Sequence, residues 1–148
     1  MKLTIRPASQ QTFAEMGGWR YEPPYDFYDG DVDPVLNPER FYEALDEHGE
    51  LVGFYYFEGK GDALEIGLGL RPDLTGRGLG LDFFLAGLEF SRQRFRPGRV
   101  ILNVASFNER AIKVYERAAF RETGRHVRSL ERWGDVEFVE MEEAPAPR

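Results

Sequence analysis

An extended run, a glycine-rich turn and a long amphipathic helix follow one another between Ala63 and Phe95, and few folds accommodate that succession. Ala63 to Leu70 reads as a strand stopped by Arg71-Pro72, because proline cannot continue a ladder. From Leu79 to about Phe95, the apolar residues Leu81, Phe84, Leu85, Leu88 and Phe95 recur at helical spacing. Between the two lies Thr75-Gly76-Arg77-Gly78-Leu79-Gly80. Glycines let a backbone approach an anion closely, and the unpaired amides at a helix N-terminus bind phosphate oxygens. The P-loop Lys-Ser/Thr is missing and glycines at 76, 78 and 80 do not give the dinucleotide spacing, so neither common nucleotide motif fits. On the glycines alone, a phosphate loop and a plain connector are equally good readings.

The remaining segments predict a mixed α and β order around one sheet. Leu3 and Ile5 alternate in a short strand ending at Pro7, and Ser9 can cap a short helix closed by Gly17-Gly18. Trp19 to Pro38 is irregular, mixing aromatics with acids and prolines. Phe41 to Leu45 and Leu51 to Phe57 suit a hairpin turned at Asp46 to Glu50, with His48 a turn residue, and Gly59 to Asp62 makes the next turn. Pro97-Gly98 ends the long helix, Val100 to Val104 is a buried strand, and Asn108 sits at a helix N-cap position. Phe120 to Leu130 and Val136 to Met141 form a closing pair turned at Trp133-Gly134-Asp135. With 148 residues the chain suits one domain, expected over 1–143, with a frayed tail at 144–148.

Charge narrows the function classes. The net charge of −7 resides in residues 1–50, with 4 basic and 11 acidic side chains, while residues 51–148 hold 15 of each. A non-specific nucleic-acid binder needs the opposite surplus, so no nucleic-acid partner is expected. Arg92, Arg94, Arg96 and Arg99 suit an exposed helix end rather than a nucleic-acid patch. The absence of cysteine excludes disulfides and thiol nucleophiles, and two separated histidines, His48 and His126, argue against a metal centre. No apolar run approaches the ~20 residues of a membrane span, so a cytoplasmic location is the default.

A second segment, Asn108-Glu109-Arg110-Ala111-Ile112-Lys113-Val114-Tyr115-Glu116-Arg117-Ala118-Ala119-Phe120, carries the function further. Singly, Asn108 reads as an N-cap and Tyr115 as a core aromatic. Together with the glycine loop, their types, order and separation resemble the GNAT superfamily of acyl-CoA N-acyltransferases. That family's loop reads Gln/Arg-x-x-Gly-x-Gly/Ala, and its later helix reads Asn-x-x-Ala-x-x-x-Tyr-x-x-x-Gly-Phe. The resemblance covers about Leu51 to Phe120. It implies an α/β (α+β) fold with a mixed, mostly antiparallel sheet of about seven strands flanked by about four helices.

It also implies roles. The backbones of Leu68, Gly69 and Leu70 would line the pantetheine arm of acetyl-CoA, and Gly76, Arg77, Gly78, Leu79, Gly80 and Leu81 would surround its pyrophosphate. Asn108 would hydrogen-bond the arm, and Tyr115 would be the general acid that protonates the departing thiolate. The family's fourth strand splays from its fifth, and Gly67 and Gly69 are compatible with such a distortion. Thr75 stands where Gln or Arg is usual. Ala119 replaces the glycine before Phe120, where a positive φ is expected. Asn103 occupies the fifth-strand position at which protein N-terminal alanine acetyltransferases carry a basic Glu, and an amide cannot take that proton.

An amine with a lysine-like pKa of ~10.4 must lose a proton before it attacks. Glu65 is the first candidate base, against the plainer reading of a solvent-facing strand carboxylate. Tyr25, Asp26, Tyr28 and Asp29 lie where this superfamily places acceptor-binding elements, against the plainer reading of an aromatic-pinned surface loop. The resulting expectation is acetyl transfer from acetyl-CoA, without a metal, to a small cationic amine or an exposed amino group of a peptide. The rival is a non-catalytic acyl-CoA-binding or sensing domain. Exposed aromatics such as Trp19 or Trp133 could serve a homodimer contact or a substrate wall.

Overall fold

In the computed structural model, residues 2–29 and 37–144 are described. They form one seven-stranded sheet in the order β1-β2-β3-β4-β5-β7-β6. The strands are β1 (Thr4–Pro7), β2 (Phe41–Leu45), β3 (Leu51–Lys60), β4 (Ala63–Leu70), β5 (Arg99–Ala105), β6 (Phe120–Leu130) and β7 (Gly134–Glu143). Every neighbouring pair is antiparallel except β4 and β5. The α-helices among the described residues are α1 (Gln10–Gly17), α2 (Gly80–Phe95) and α3 (Glu109–Arg117). Three 3-10 turns, Tyr25–Tyr28, Pro38–Arg40 and Pro72–Leu74, accompany them, so about four helices becomes three. Asp31 and Asp33 of the irregular stretch, and the expected tail beyond Ala144, lie outside the described residues.

Strand alternation gives the sheet two different faces. On one, Leu64 and Ile66 of β4, Val100, Leu102 and Val104 of β5, and Val139 and Met141 of β7 pack against Phe83, Phe84 and Leu88 of α2 and Tyr115 of α3. On the other, Met16 of α1 and Trp19 pack with Phe41, Leu45, Leu51 and Tyr56. Trp19, at 8% exposure, is therefore core, whereas Trp133 is 40% exposed. Leu85 also departs from expectation at 42% exposure. The buried stripe of α2 runs through Phe83, Phe84, Gly87, Leu88 and Ser91, and its two small members hide it from hydropathy.

Gly87 makes room for one ring. Tyr55 of β3 is fully buried, stacks on Phe83 with centroids 4.5 Å apart, and donates its hydroxyl hydrogen to the Phe83 carbonyl at 2.6 Å. A Cβ on Gly87 would stand 2.3 Å from the Tyr55 ring, and one on Gly53 would stand 2.5 Å from the Phe83 ring. Gly69 is likewise required by packing, because a Cβ there would meet the Phe54 ring at 2.4 Å. It is not a point of strand distortion: β4 pairs regularly with β3 from Ala63 to Leu70.

Several boundaries shift for local reasons. β3 continues to Lys60, leaving the turn to Gly61 (φ 65) and Asp62. Arg96, at φ 48, ends α2 before Pro97-Gly98 is reached, and the closing turn falls at 131–133, with Gly134 already in β7. Arg92 and Arg99 of the basic helix end are ion-paired to Glu143 and to Asp62 and Glu142. Ala119 does adopt φ 65, costing about 1–2 kcal/mol, and its carbonyl accepts the Ala144 amide at 2.8 Å.

Glu43 of β2 ties α1 to the sheet. Its carboxylate, in a residue 2% exposed, accepts from the Thr12 hydroxyl (2.7 Å), the Ser9 amide (2.9 Å) and Arg6 Nε (2.7 Å). Burial alone would raise its pKa; the bonds from Thr12, Ser9 and Arg6 outweigh it and lower the value from 4.5 to about 2. A depressed folded pKa contributes stability that is present above the unfolded value and lost as pH falls through the folded one. Glu43→Gln should therefore destabilise the protein by about 1–3 kcal/mol in urea unfolding at pH 7, with the gap to wild type closing between pH 4.5 and about 2. An undiminished gap at the acid end would remove the carboxylate from this role. Gly87→Ala tests the Tyr55 lock: helix propensity alone favours alanine by about 1 kcal/mol, but overpacking costs about 1–3 kcal/mol. The expected result is a lower urea midpoint, and a higher one would show that the ring has freedom to move.

Candidate active site

The site begins where two strands stop pairing. β4 and β5 run parallel in register for Ala63 with Arg99, Leu64 with Val100 and Glu65 with Ile101, and no further. Beyond that point Ile66–Leu70 and Leu102–Ala105 are held by their outer neighbours, β3 and β7, and not by one another. The opening expected for this chain is thus made by lost β4–β5 pairing. Leu68, Gly69 and Leu70 border it, although the Leu70 carbonyl accepts the Tyr21 hydroxyl at 2.6 Å.

At the head of the opening, α2 starts without a side-chain cap. Gly76 and Gly78 adopt φ 72 and 75, turns that non-glycine residues rarely make. Among the described residues, no acceptor pairs with the amides of residues 76 to 82, while the Thr75 amide and hydroxyl are spent on the Pro72 carbonyl. Seven successive free N–H groups at a helix N-terminus form a cradle for an anion with several oxygens, such as a pyrophosphate. Gly76, Arg77 and Gly78 are exposed there, and Leu79, Gly80 and Leu81 half-buried.

The N-terminus of α3 lies beside this cradle. Asn108 caps it, accepting from the Ala111 amide at 3.1 Å, and its amide nitrogen donates to the Tyr28 hydroxyl at 3.1 Å. Both ends of Asn108 are therefore engaged, and a bound ligand arm would compete with Tyr28 for the donor. The Arg110 guanidinium sits 4.1 Å from the Tyr25 ring centroid, and its Nη1 lies 3.8 Å from where a Gly76 Cβ would be. Arg110 escaped the sequence reading. Its signal was a cation in the first turn of a helix, where the dipole disfavours one.

Tyr115, one helical turn and more beyond, is 9% exposed and packs edge-on to Phe84 at 4.8 Å. Burial first, and the neighbouring Tyr28 phenol second, raise its pKa, so the oxygen keeps its proton throughout the neutral range. The 3-10 turn carrying Tyr25, Asp26 and Tyr28 is fastened by Phe27, whose ring meets Phe107 (5.3 Å), Trp133 (5.7 Å) and Phe138 (6.4 Å). Three separate segments supply these aromatics, which is why no local motif announced them. Asp29 accepts the Tyr21 amide at 2.6 Å and so closes the loop.

Glu65 stands on the opposite sheet face from α2, at the last paired position before the opening. Its Oε1 accepts from Lys60 Nζ at 2.9 Å and from Asn103 Nδ2 at 3.1 Å. Its Oε2 has no partner among the described residues. A carboxylate clamped by one oxygen with the other free is arranged to accept a proton. The site thus brings the anion cradle, Asn108 and the Tyr25–Tyr28 turn to the N-termini of α2 and α3, with Tyr115 in the last turn of α3 and Glu65 across the sheet. Among the described residues, no three His, Asp or Glu side chains gather as metal ligands, and no helix is long and apolar enough to cross a membrane.

Comparison with known proteins agrees with this geometry. The family profile described as acetyltransferase (GNAT) domain matches residues 8–121. A mycothiol acetyltransferase of Clavibacter michiganensis is 36% identical over 98 residues, covering 66% of this chain and 32% of its own length. One from Mycobacteroides abscessus is 31% identical over 123 residues, covering 80% of this chain and 40% of its own. The chain thus spans about a third of the length of such relatives. Among solved structures, spermidine N-acetyltransferase from Vibrio cholerae in complex with CoA and spermine superposes with a TM-score of 0.69 at 20% identity, over 95% of both chains. The match over most of the chain, on a sheet that opens between β4 and β5, establishes that this protein belongs to the GNAT acetyltransferase family.

Proposed function

We propose that the protein transfers an acetyl group from acetyl-CoA to a primary amine, the acceptor being a small cationic amine or an exposed amino group. The observation that carries this reading is the run of seven free amides at the head of the β4–β5 opening. It fits the pyrophosphate of CoA, and Arg110 adds a cation beside it. The relatives named as mycothiol acetyltransferases support acetyl transfer, and the Vibrio cholerae structure in complex with CoA and spermine, which shares this fold, is in keeping with such a ligand pair. Acetyl-CoA supplies the acetyl thioester.

The chain's own groups account for the protons. Glu65 Oε2 takes one proton from the acceptor ammonium, leaving a lone pair on nitrogen. Backbone amides bordering the opening polarise the thioester carbonyl as that lone pair forms the new C–N bond. The C–S bond breaks, Tyr115 donates its hydroxyl hydrogen to the departing sulfur, and the nitrogen gives up a second proton that restores the phenol. One proton is released to solvent per amide formed. The free Oε2 of Glu65 favours an enzyme over a sensing domain that merely holds acyl-CoA.

Tyr115→Phe should lower kcat by about 100-fold or more while the dissociation constant for acetyl-CoA stays within twofold of wild type. Release of free CoA with a panel of mono- and polyamines measures the first, and calorimetry the second. Full turnover by the variant, with acetyl transfer rate-limiting, would end the general-acid assignment; binding without release by wild type across the panel would favour the sensor. Asp26→Asn should raise KM for a cationic acceptor up to about fivefold, the worth of a partly exposed ion pair, and leave KM for acetyl-CoA unchanged. Equal effects on both constants would detach Asp26 from the acceptor.

A further inference from the structure

Asn103 is the one residue with a buried side-chain polar atom lacking any partner among the described residues: its Oδ1. The orientation of the amide is fixed by chemistry, because the Glu65 carboxylate can only accept and must face Nδ2. An orphaned buried acceptor destabilises the fold, because its desolvation is not offset by a bond. An apolar side chain in this slot would avoid that cost, as the neighbouring strand residues Ile101 and Ala105 on the same face do. The amide is therefore kept for its donor end, and that end has a single partner, Glu65 Oε1.

The position of the pair adds the second half of the argument. Glu65 is the last β4 residue in register with β5, and Asn103 lies two residues past its partner Ile101, beyond the end of pairing. The Asn103–Glu65 bond thus bridges the strands at the point where they part. With Lys60 it holds Oε1 by two donors and leaves Oε2 without a partner among the described residues. We propose that Asn103 is a positioning residue for acetyl transfer, holding Glu65 so that its free oxygen meets the acceptor ammonium. This rests on the acetyl-transfer reading above, and the residue that cannot itself take a proton instead aims the one that can.

Other groups on this face set the electrostatic frame. Tyr56, Glu58 and Lys60 come from β3, with Glu58 directly across from Glu65 and accepting from the Tyr56 hydroxyl. Glu140 and Glu142 come from β7, the first opposite Asn103 and bonded to the Thr123 hydroxyl, the second opposite Ile101 and paired with Arg99. A carboxylate at 103 would join Glu58 and Glu140 in crowding Glu65 with negative charge.

Two variants test the assignment through free-CoA release, with spermine and 1,4-diaminobutane as acceptor probes within the amine panel. Asn103→Leu should lower kcat/KM for the acceptor at least tenfold, leave the acetyl-CoA dissociation constant unchanged, and leave Tm equal or higher. Asn103→Asp should displace the acid limb of the kcat/KM profile to higher pH by about one unit, since like charges that share a site hold the proton more tightly. Wild-type kcat/KM in Asn103→Leu, or a drop in its Tm parallel to the activity loss, would overturn the positioning role. So would an Asn103→Asp profile superimposable on wild type. Failure of the wild-type protein to release CoA with any amine overturns the acetyl-transfer reading itself, an outcome distinct from these.

Discussion

Everything at the site depends on a parallel ladder that ends after three residue pairs. Backbone N–H and C=O groups left without partners are costly to bury, so two adjacent strands would ordinarily close on one another. Here each is committed on its outer edge. β4 is paired along its whole length to β3, its last carbonyl is taken by Tyr21, and Arg71 is bonded through its amide to Val52 and its guanidinium to Leu51. β5 is paired from Ile101 to Ala105 with β7. Successive residues of a strand point their N–H and C=O to opposite edges, so the outer ladders leave the gap with backbone donors and acceptors of its own.

The same commitment aims the cradle. An array of free amides is useful only if α2 points it at the opening, and Tyr55 fixes that direction. Its ring lies in the space left by Gly87, stacks on Phe83 and bonds the Phe83 carbonyl, so β3 grips α2 within its first turns. The hydrogen bond is worth about 1 kcal/mol net, and the buried ring contributes more through its area. Precision at the loop is thereby supplied by β3 acting through α2.

The sequence made local grammar visible and left tertiary tasks hidden. The glycine turn and the Asn108 cap follow from rules acting within a few residues, and the positive φ at Ala119 from the resemblance to a family helix that ends in glycine; all appear at the expected positions. Leu85 was misjudged because hydropathy cannot see that Gly87 and Ser91 mark the buried stripe. Gly69 is compatible with strand distortion on sequence alone, yet the Phe54 ring, fifteen residues earlier, is what excludes a side chain there. Trp19 was grouped with exposed aromatics because an irregular segment carries no periodicity from which burial could be read. Arg110 and the Phe27 cluster needed three-dimensional neighbours, and only the unfavourable placement of a cation at a helix N-terminus hinted at the first.

Charge is the point at which structure most changes the sequence picture. Along the chain, the acidic surplus lies wholly in residues 1–50, and the remainder is balanced. Several of those acids already have structural partners: Asp29 holds the Tyr21 amide, Glu43 holds α1, and Asp46 accepts the His48 and Glu50 amides of its turn. Glu58, Glu65 and Glu140, meanwhile, come from the balanced portion and share one sheet face by strand alternation, while the amide cradle belongs to the helical side. The carboxylate with a free oxygen and the amide cradle thus lie on opposite faces of the sheet, a relation that position along the chain does not reveal. The end of β4–β5 pairing opens the sheet between those two faces, beside Glu65.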